Sequence, residues 1–168
     1  MPYSKFLDAV EFLNSQAIDW QLIGIDGWLQ VGKTPLAKEL ARRRVSWPLD
    51  LDSFITPIDG QFLDALQLPS LGAAIIQATV PVVLSGVCLL AVMDRLEMKL
   101  DRHIYVKRFS TGIWADEDEA LGNGLAAYEK RGFEPCILRN EIHNYHQAYR
   151  PHERADVLIE IDDEAYVR

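Results

Sequence analysis

A chain of 168 residues has room for one domain with a substantial hydrophobic core. Its formal net charge of −8 argues against a broad nucleic-acid-binding surface, and no apolar run approaches membrane-spanning length. Residues 1–6 lack the basic and apolar regions of a secretory signal, and Cys88 and Cys136 form neither a disulfide framework nor a zinc motif, so a reducing cytoplasm is the expected setting.

In chain order, residues 4–16 carry Phe6, Val10 and Leu13 at helical spacing, with Phe12 widening the apolar face, which predicts an amphipathic leading helix. Residues 20–26 read as a short buried strand. From about Lys33 the pattern Leu36, Ala37, Leu40, Ala41 lays an apolar stripe along a helix. Pro35 falls in its first turn, where a missing amide is harmless. Arg42, Arg43 and Arg44 close that helix, where cations suit the negative end of its dipole.

Residues 46–52 are a second strand, and Pro48 points to an edge position. Pro57, Asp59 and Gly60 make a loop, followed by a short helix over 61–66 and another over 71–78. Residues 80–84 form a buried strand, 88–100 a helix and 103–107 a strand. Helices are expected over 116–130 and 137–149, with Gly122 and Gly124 weakening the first, and 157–161 closes as a strand. Strands alternating with helices predict an α/β domain over 1–168 with a parallel sheet, whose ligands sit beyond the carboxyl ends of the strands. Asp26, Asp52, Ser85 and Lys107 fall at or near four such ends.

Between the first strand and the next helix stands Gly27-Trp28-Leu29-Gln30-Val31-Gly32-Lys33-Thr34. This is the spacing of a phosphate-binding loop. Glycines let the backbone close around phosphate oxygens, and the amides and helix N-terminus favour negative charge. Gly27, Gln30, Val31 and Gly32 would cradle the phosphates of a nucleoside triphosphate. Lys33 would bridge the β- and γ-phosphates, and the Thr34 hydroxyl would help hold magnesium. The setting between an apolar strand and an amphipathic helix makes the match more specific than the residues alone.

Ile23-Gly24-Ile25-Asp26-Gly27, with Gly32-Lys33-Thr34 and Leu36-Ala37, resembles the opening of the uridine kinase-like group of P-loop kinases. Leu51-Asp52-Ser53-Phe54 resembles the motif after their second strand, and residues 82–87 their third, an apolar strand ending in an acid and a glycine. Residues 149–151 and 154–159 resemble their closing strand and its approach. The resemblance implies a three-layer fold with a five-stranded parallel sheet flanked by helices. It also implies transfer of the γ-phosphoryl group of ATP to a hydroxyl of a small molecule, a nucleoside being the nearest family example. Asp52 would then accept the hydroxyl proton or help hold magnesium through water, with Asp50, two residues earlier, a rival. A lid over about 109–140 would bring arginines over the phosphates, Arg108 and Arg139 first, then Arg131 and Arg150.

The chain departs from that family at three places. Trp28, Leu29, Gln30 and Val31 stand where a third loop glycine is usual, Pro35 replaces a hydroxyl or small residue, and Ser85 stands where the family has a glutamate. Ser85 supplies no charge, which keeps open an alternative: a non-catalytic nucleotide-binding protein with a degenerate kinase site. His143 and His146, three apart on a helix with His152 nearby, read as solvated or pocket histidines rather than metal ligands. Trp47 reads as core. Trp28 either flanks the bound nucleotide or acceptor or packs against the lid. No nucleic-acid or membrane partner is expected.

Overall fold

The computed structural model describes residues 6–16, 19–56, 61–130, 132 and 136–162. The expected loop at Pro57, Asp59 and Gly60, and Arg131, lie outside the described residues, as does the side chain of Phe6. Six strands are described: β1 (Leu22–Gly27), β2 (Trp47–Asp50), β3 (Val82–Ser85), β4 (Arg102–Ser110), β5 (Ile113–Trp114) and β6 (Val157–Asp162). β1 is central, pairing in parallel with β3 and with β4; β2 pairs with β3 and β6 with β4, also in parallel. β1 is buried along its whole length, as a strand with both neighbours filled and both faces covered must be.

The expected sheet of five strands is therefore a sheet of six, mostly parallel. The additional strand is β5, which folds back antiparallel onto the end of β4 through Thr111 and Gly112. Two residues are too short for a period-2 pattern to show in sequence. β2 lies at an edge, where Pro48 removes no ladder donor that a neighbour needs. That edge also leaves Trp47 42% exposed, so the expectation that it fills core is corrected.

The helices follow the expected stripes closely where these are long. In α1 (Phe6–Gln16), Ala9, Val10 and Leu13 are buried against α2 (Lys33–Arg44), while Phe12 is 38% exposed and does not widen the buried face. Leu36, Ala37, Leu40 and Ala41 of α2 are all buried, and Arg42 and Arg43 are held by Glu39 of the same helix. A 3-10 turn (Leu51–Phe54) takes over where the second strand was expected to continue. It is followed by α3 (Phe62–Ala65), α4 (Leu68–Ile76) and α5 (Leu89–Arg95), which ends a turn and a half earlier than its apolar pattern.

The single helix expected over 116–130 is two, α6 (Glu117–Ala120) and α7 (Gly124–Lys130). At Gly122 the chain turns closely on Asp118: a Cβ there would lie 3.0 Å from its backbone oxygen and would displace its carboxylate. α8 (Ile137–Tyr149) has the expected bounds; Arg150 (φ 47) ends it, and the short α9 (Pro151–Arg154) follows. No helix among the described residues is long and apolar enough to cross a membrane.

Candidate functional site

β1 runs directly into the glycine-bearing loop. Gly27 has φ 152, and a Cβ there would sit 2.6 Å from the carbonyl oxygen of Val106 on β4, so the neighbouring strand itself demands glycine. Gln30 (φ 58) and Gly32 (φ 86) are both left-handed, the kind of alternation that turns backbone amides toward one concavity. α2 starts at Lys33 with no side-chain cap, which leaves its first-turn amides directed at the cleft above the loop.

The loop's bulk has an internal use. Trp28 is 2% exposed and meets the ring of His146 edge-on at 5.4 Å, and Val31 is fully buried. Trp28 is expected to flank a ligand or to pack against the lid; it packs inward instead, on His146 of α8 beyond the expected lid. Apolar anchors beneath the loop thus stand where the family pattern has a flexible glycine.

Lys33 lies along the loop, its ammonium donating to the carbonyls of Gly27 at 3.2 Å and Trp28 at 2.5 Å. Burial pushes its pKa down to about 8, against the opposing pull of Asp26, Asp52 and Asp50. Thr34 donates its hydroxyl to Oδ2 of Asp50 at 2.7 Å. Asp50, the last residue of β2, also caps the 3-10 turn by accepting from the amide of Asp52 at 3.2 Å. Asp52 itself is exposed at the cleft, and its carboxyl is shifted upward by partial burial and then by Asp50, despite Lys33.

The cleft has a volume of about 800 Å³. It is lined by the loop and helix start from Leu29 to Pro35 and by Asp52, together with Ile55, Phe62, Val87 and Leu138. Ser85 is buried in the sheet, with its hydroxyl donating to the carbonyl of Leu49 at 3.5 Å, while Val87 two residues later reaches the cleft wall.

Beneath the loop lies a polar network that sequence reasoning missed. Asp26 is fully buried; its Oδ1 accepts from the Gly27 amide at 2.7 Å, and its Oδ2 accepts from the Tyr145 hydroxyl, with Nε2 of His103 at 3.4 Å. The Tyr145 oxygen also accepts from the Leu90 amide at 3.2 Å, so one phenol joins α8, α5 and the loop strand. His146 has its Nδ1 2.7 Å from the carbonyl of Ile142, which places the proton on that nitrogen and leaves Nε2 to accept from the Tyr105 hydroxyl at 2.6 Å. The sequence signal was an aspartate inside a fully apolar strand, which has to find donors somewhere.

The arginines expected over the phosphates are engaged with acids. Arg108 pairs with Asp116 at 2.6 Å, Arg139 pairs with Glu119, and Arg150 with Glu153 at 3.5 Å. Lys107 stacks its ammonium 4.2 Å from the Trp114 ring. His143 donates to the carbonyl of Glu119 at 2.9 Å, and no cluster of three metal-ligating side chains occurs among the described residues.

No protein-family model matches the chain. No curated protein matches it either. Among solved structures the fold is similar to that of a possible uridine kinase from Bacillus stearothermophilus, with a TM-score of 0.58 and 16% sequence identity over 91% of this chain and 98% of that one. At that identity the likeness concerns the fold: a mixed α/β arrangement with a mostly parallel sheet flanked by helices.

Proposed function

We propose that the protein is an ATP-dependent phosphotransferase that moves the γ-phosphate to a hydroxyl of a small molecule. The observation that carries this reading is the convergence of three groups on one loop: Lys33 held along the loop backbone, the uncapped start of α2, and Thr34 bonded to Asp50. Together they supply a cation, a row of amides and oxygen ligands where a triphosphate would lie.

The donor set fits magnesium, a hard cation that takes oxygen ligands. Thr34 would hold it directly, with Asp50 and Asp52 close enough in the chain to act through its waters. Bound with the nucleotide, the ion would supply charge neutralisation between the β- and γ-phosphates.

The residues of this chain do the positioning. The amides of Gly27 to Gly32 hold the phosphates, and Lys33 moves from the loop carbonyls to the β- and γ-oxygens. Asp52, exposed at the cleft with an upward-shifted carboxyl, takes the acceptor's proton. The acceptor oxygen bonds to the γ-phosphorus as the bond to the ADP oxygen breaks, and Arg108 and Arg139 would exchange Asp116 and Glu119 for the phosphates to screen the developing charge.

The alternative, a nucleotide-binding protein without turnover, is favoured by one observation: Ser85 replaces an acid and is turned into the sheet. Measuring ADP release against a panel of alcohols, nucleosides and sugars, with Lys33→Ala as control, separates the two. Acceptor-stimulated release that vanishes in the control supports transfer. Nucleotide-induced thermal stabilisation with no stimulation by any acceptor supports the alternative.

A further inference from the structure

The cleft is chemically two-sided. Its charged lining side chains among the described residues are Lys33 and Asp52, both at the phosphate end. Beyond the loop, the start of α2 and Asp52, the described lining is apolar: Ile55, Phe62, Val87 and Leu138, drawn from four separate segments of the chain, make an apolar wall.

That wall is anchored, and among the described residues several polar groups beside it are already occupied. Glu141, one turn beyond Leu138 on α8, uses one carboxylate oxygen to accept from the Phe62 amide at 2.5 Å and the other to accept from the Leu63 amide at 2.9 Å. It anchors the start of α3 and so seats Phe62 on the wall. Arg95 reinforces this by donating to the Leu63 carbonyl at 2.8 Å and to Asp64 at 3.0 Å. Ile55 is pinned by an antiparallel bridge to Leu66, flanked by a bond from the Thr56 amide to the Ala65 carbonyl at 2.8 Å. On α8, Tyr145 is engaged by Asp26 and the Leu90 amide.

We propose that the acceptor is a hydroxyl carried on an apolar body, an aryl or alkyl alcohol, rather than a nucleoside or a sugar. This deepens the phosphotransferase reading and rests on it. A ribose or a base pressed on these four apolar side chains would set its donors and acceptors against carbon, each unmatched group weakening binding by about ten-fold. An aryl or alkyl body gains from the same surface by leaving water. The position of the wall suits the chemistry. Ile55 follows Asp52 by three residues and Val87 follows the end of β3, so an alcohol lying on the wall presents its oxygen toward Asp52 and the loop. In the transfer itself the alcohol oxygen gains the bond to phosphorus, Asp52 gains the proton, and ADP leaves with the bridging oxygen.

The test is a rate comparison with the full chain, ATP and magnesium: benzyl alcohol, 2-phenylethanol and medium-chain alkanols against uridine, cytidine, ribose and glycerol, reading ADP formation. The expected result is a kcat/KM at least ten-fold higher for the apolar alcohols than for any nucleoside or sugar. Leu138→Gln, at a half-buried position, should lower kcat/KM for the apolar alcohols at least five-fold while leaving KM for ATP unchanged. Val87→Thr, nearly isosteric, supplies the same readout should Leu138→Gln fold poorly. A nucleoside or sugar turned over as well as the apolar alcohols overturns this inference and leaves the phosphotransferase reading standing. ATP binding without stimulation by any acceptor removes both.

Discussion

Thr34 donates its hydroxyl to Asp50 at 2.7 Å, tying the helix after the loop to the carboxyl end of the neighbouring-but-one strand. Asp52, two residues on, is left exposed to the cleft. The two carboxylates therefore have separable work. Asp50→Asn keeps an acceptor for Thr34 and removes the charge. It should weaken magnesium-dependent nucleotide binding by about ten-fold, by titration with a fluorescent nucleotide with and without the metal. Asp52→Asn should leave that affinity within about two-fold and lower kcat by about 10²-fold or more. Equal effects of both substitutions on binding would dissolve the division.

Much of this site was legible in sequence, and the reason is local. Gly27, Gly32, Lys33 and Thr34 lie within eight consecutive residues, and the geometry that unites them is one strand-to-helix turn. The motif over 51–54 and a strand running to 52 both favour Asp52 over Asp50 in the sequence, because they place Asp52 at the end of β2. In fact it stops at Asp50 and tightens into a 3-10 turn, which no residue pattern announced. The Asp26 to Tyr145 bond spans 119 residues and could not be read at all, since pairing across that separation is set by how α8 packs on the sheet. For the same reason Arg108 and Arg139 were named without their partners, Asp116 and Glu119.

Lys33 makes stability depend on pH. In the unfolded chain it titrates near its ordinary 10.5, and in the fold burial lowers it to about 8. Between those values the unfolded state holds a proton that the native state has released, so this contribution to stability rises as pH rises, and the full penalty applies below 8. The gap corresponds to on the order of 3 kcal/mol, less what the bonds to Gly27 and Trp28 return. Lys33→Met should therefore unfold at higher urea than the parent at pH 7, with the difference shrinking toward pH 10. A difference that stays constant over that range would remove burial of the ammonium as the cause.

Tyr145→Phe keeps the ring and deletes the donor to a fully buried carboxylate. Asp26 then retains the Gly27 amide and His103 at 3.4 Å, too long to replace what is lost. A cost of about 1–3 kcal/mol in urea denaturation is expected. Because Asp26 also accepts from the first loop amide, nucleotide affinity should fall with it. Loss of stability with nucleotide affinity unchanged would show that the network supports the core and not the loop.

Arg108 and Arg139 differ from surface arginines in being held by Asp116 and Glu119 across the segment 108–139. If these arginines act on the transferring phosphoryl group, Arg139→Ala and Arg108→Ala should each lower kcat by about 10²-fold or more, with nucleotide affinity changed far less. Steady-state rates beside a thermal melt decide the point. A fall in melting temperature with kcat intact would assign Arg139 to holding α6 against α8 and Arg108 to holding β4 against the start of α6.

The two cysteines should separate cleanly by reactivity. Cys88 is fully buried, and burial, reinforced by Asp26 and Glu141, pushes its thiol far above the ordinary range, so almost no thiolate forms even in alkaline buffer. Cys136 is exposed at the start of α8, where its sulfur accepts from the Arg139 amide at 3.4 Å. Maleimide at pH 7.5 should add one label per native chain, mapping to Cys136 by mass spectrometry, and two after denaturation in guanidinium. Cys88 precedes α5, whose Leu90 amide donates to Tyr145, so it reports on the same network as Asp26. Tyr145→Phe should consequently speed labelling of Cys88 by roughly the factor its stability loss implies, provided opening there is global. Labelling of Cys88 in the native parent as fast as Cys136 would mean that α5 opens on its own, and would separate the cysteine from the network.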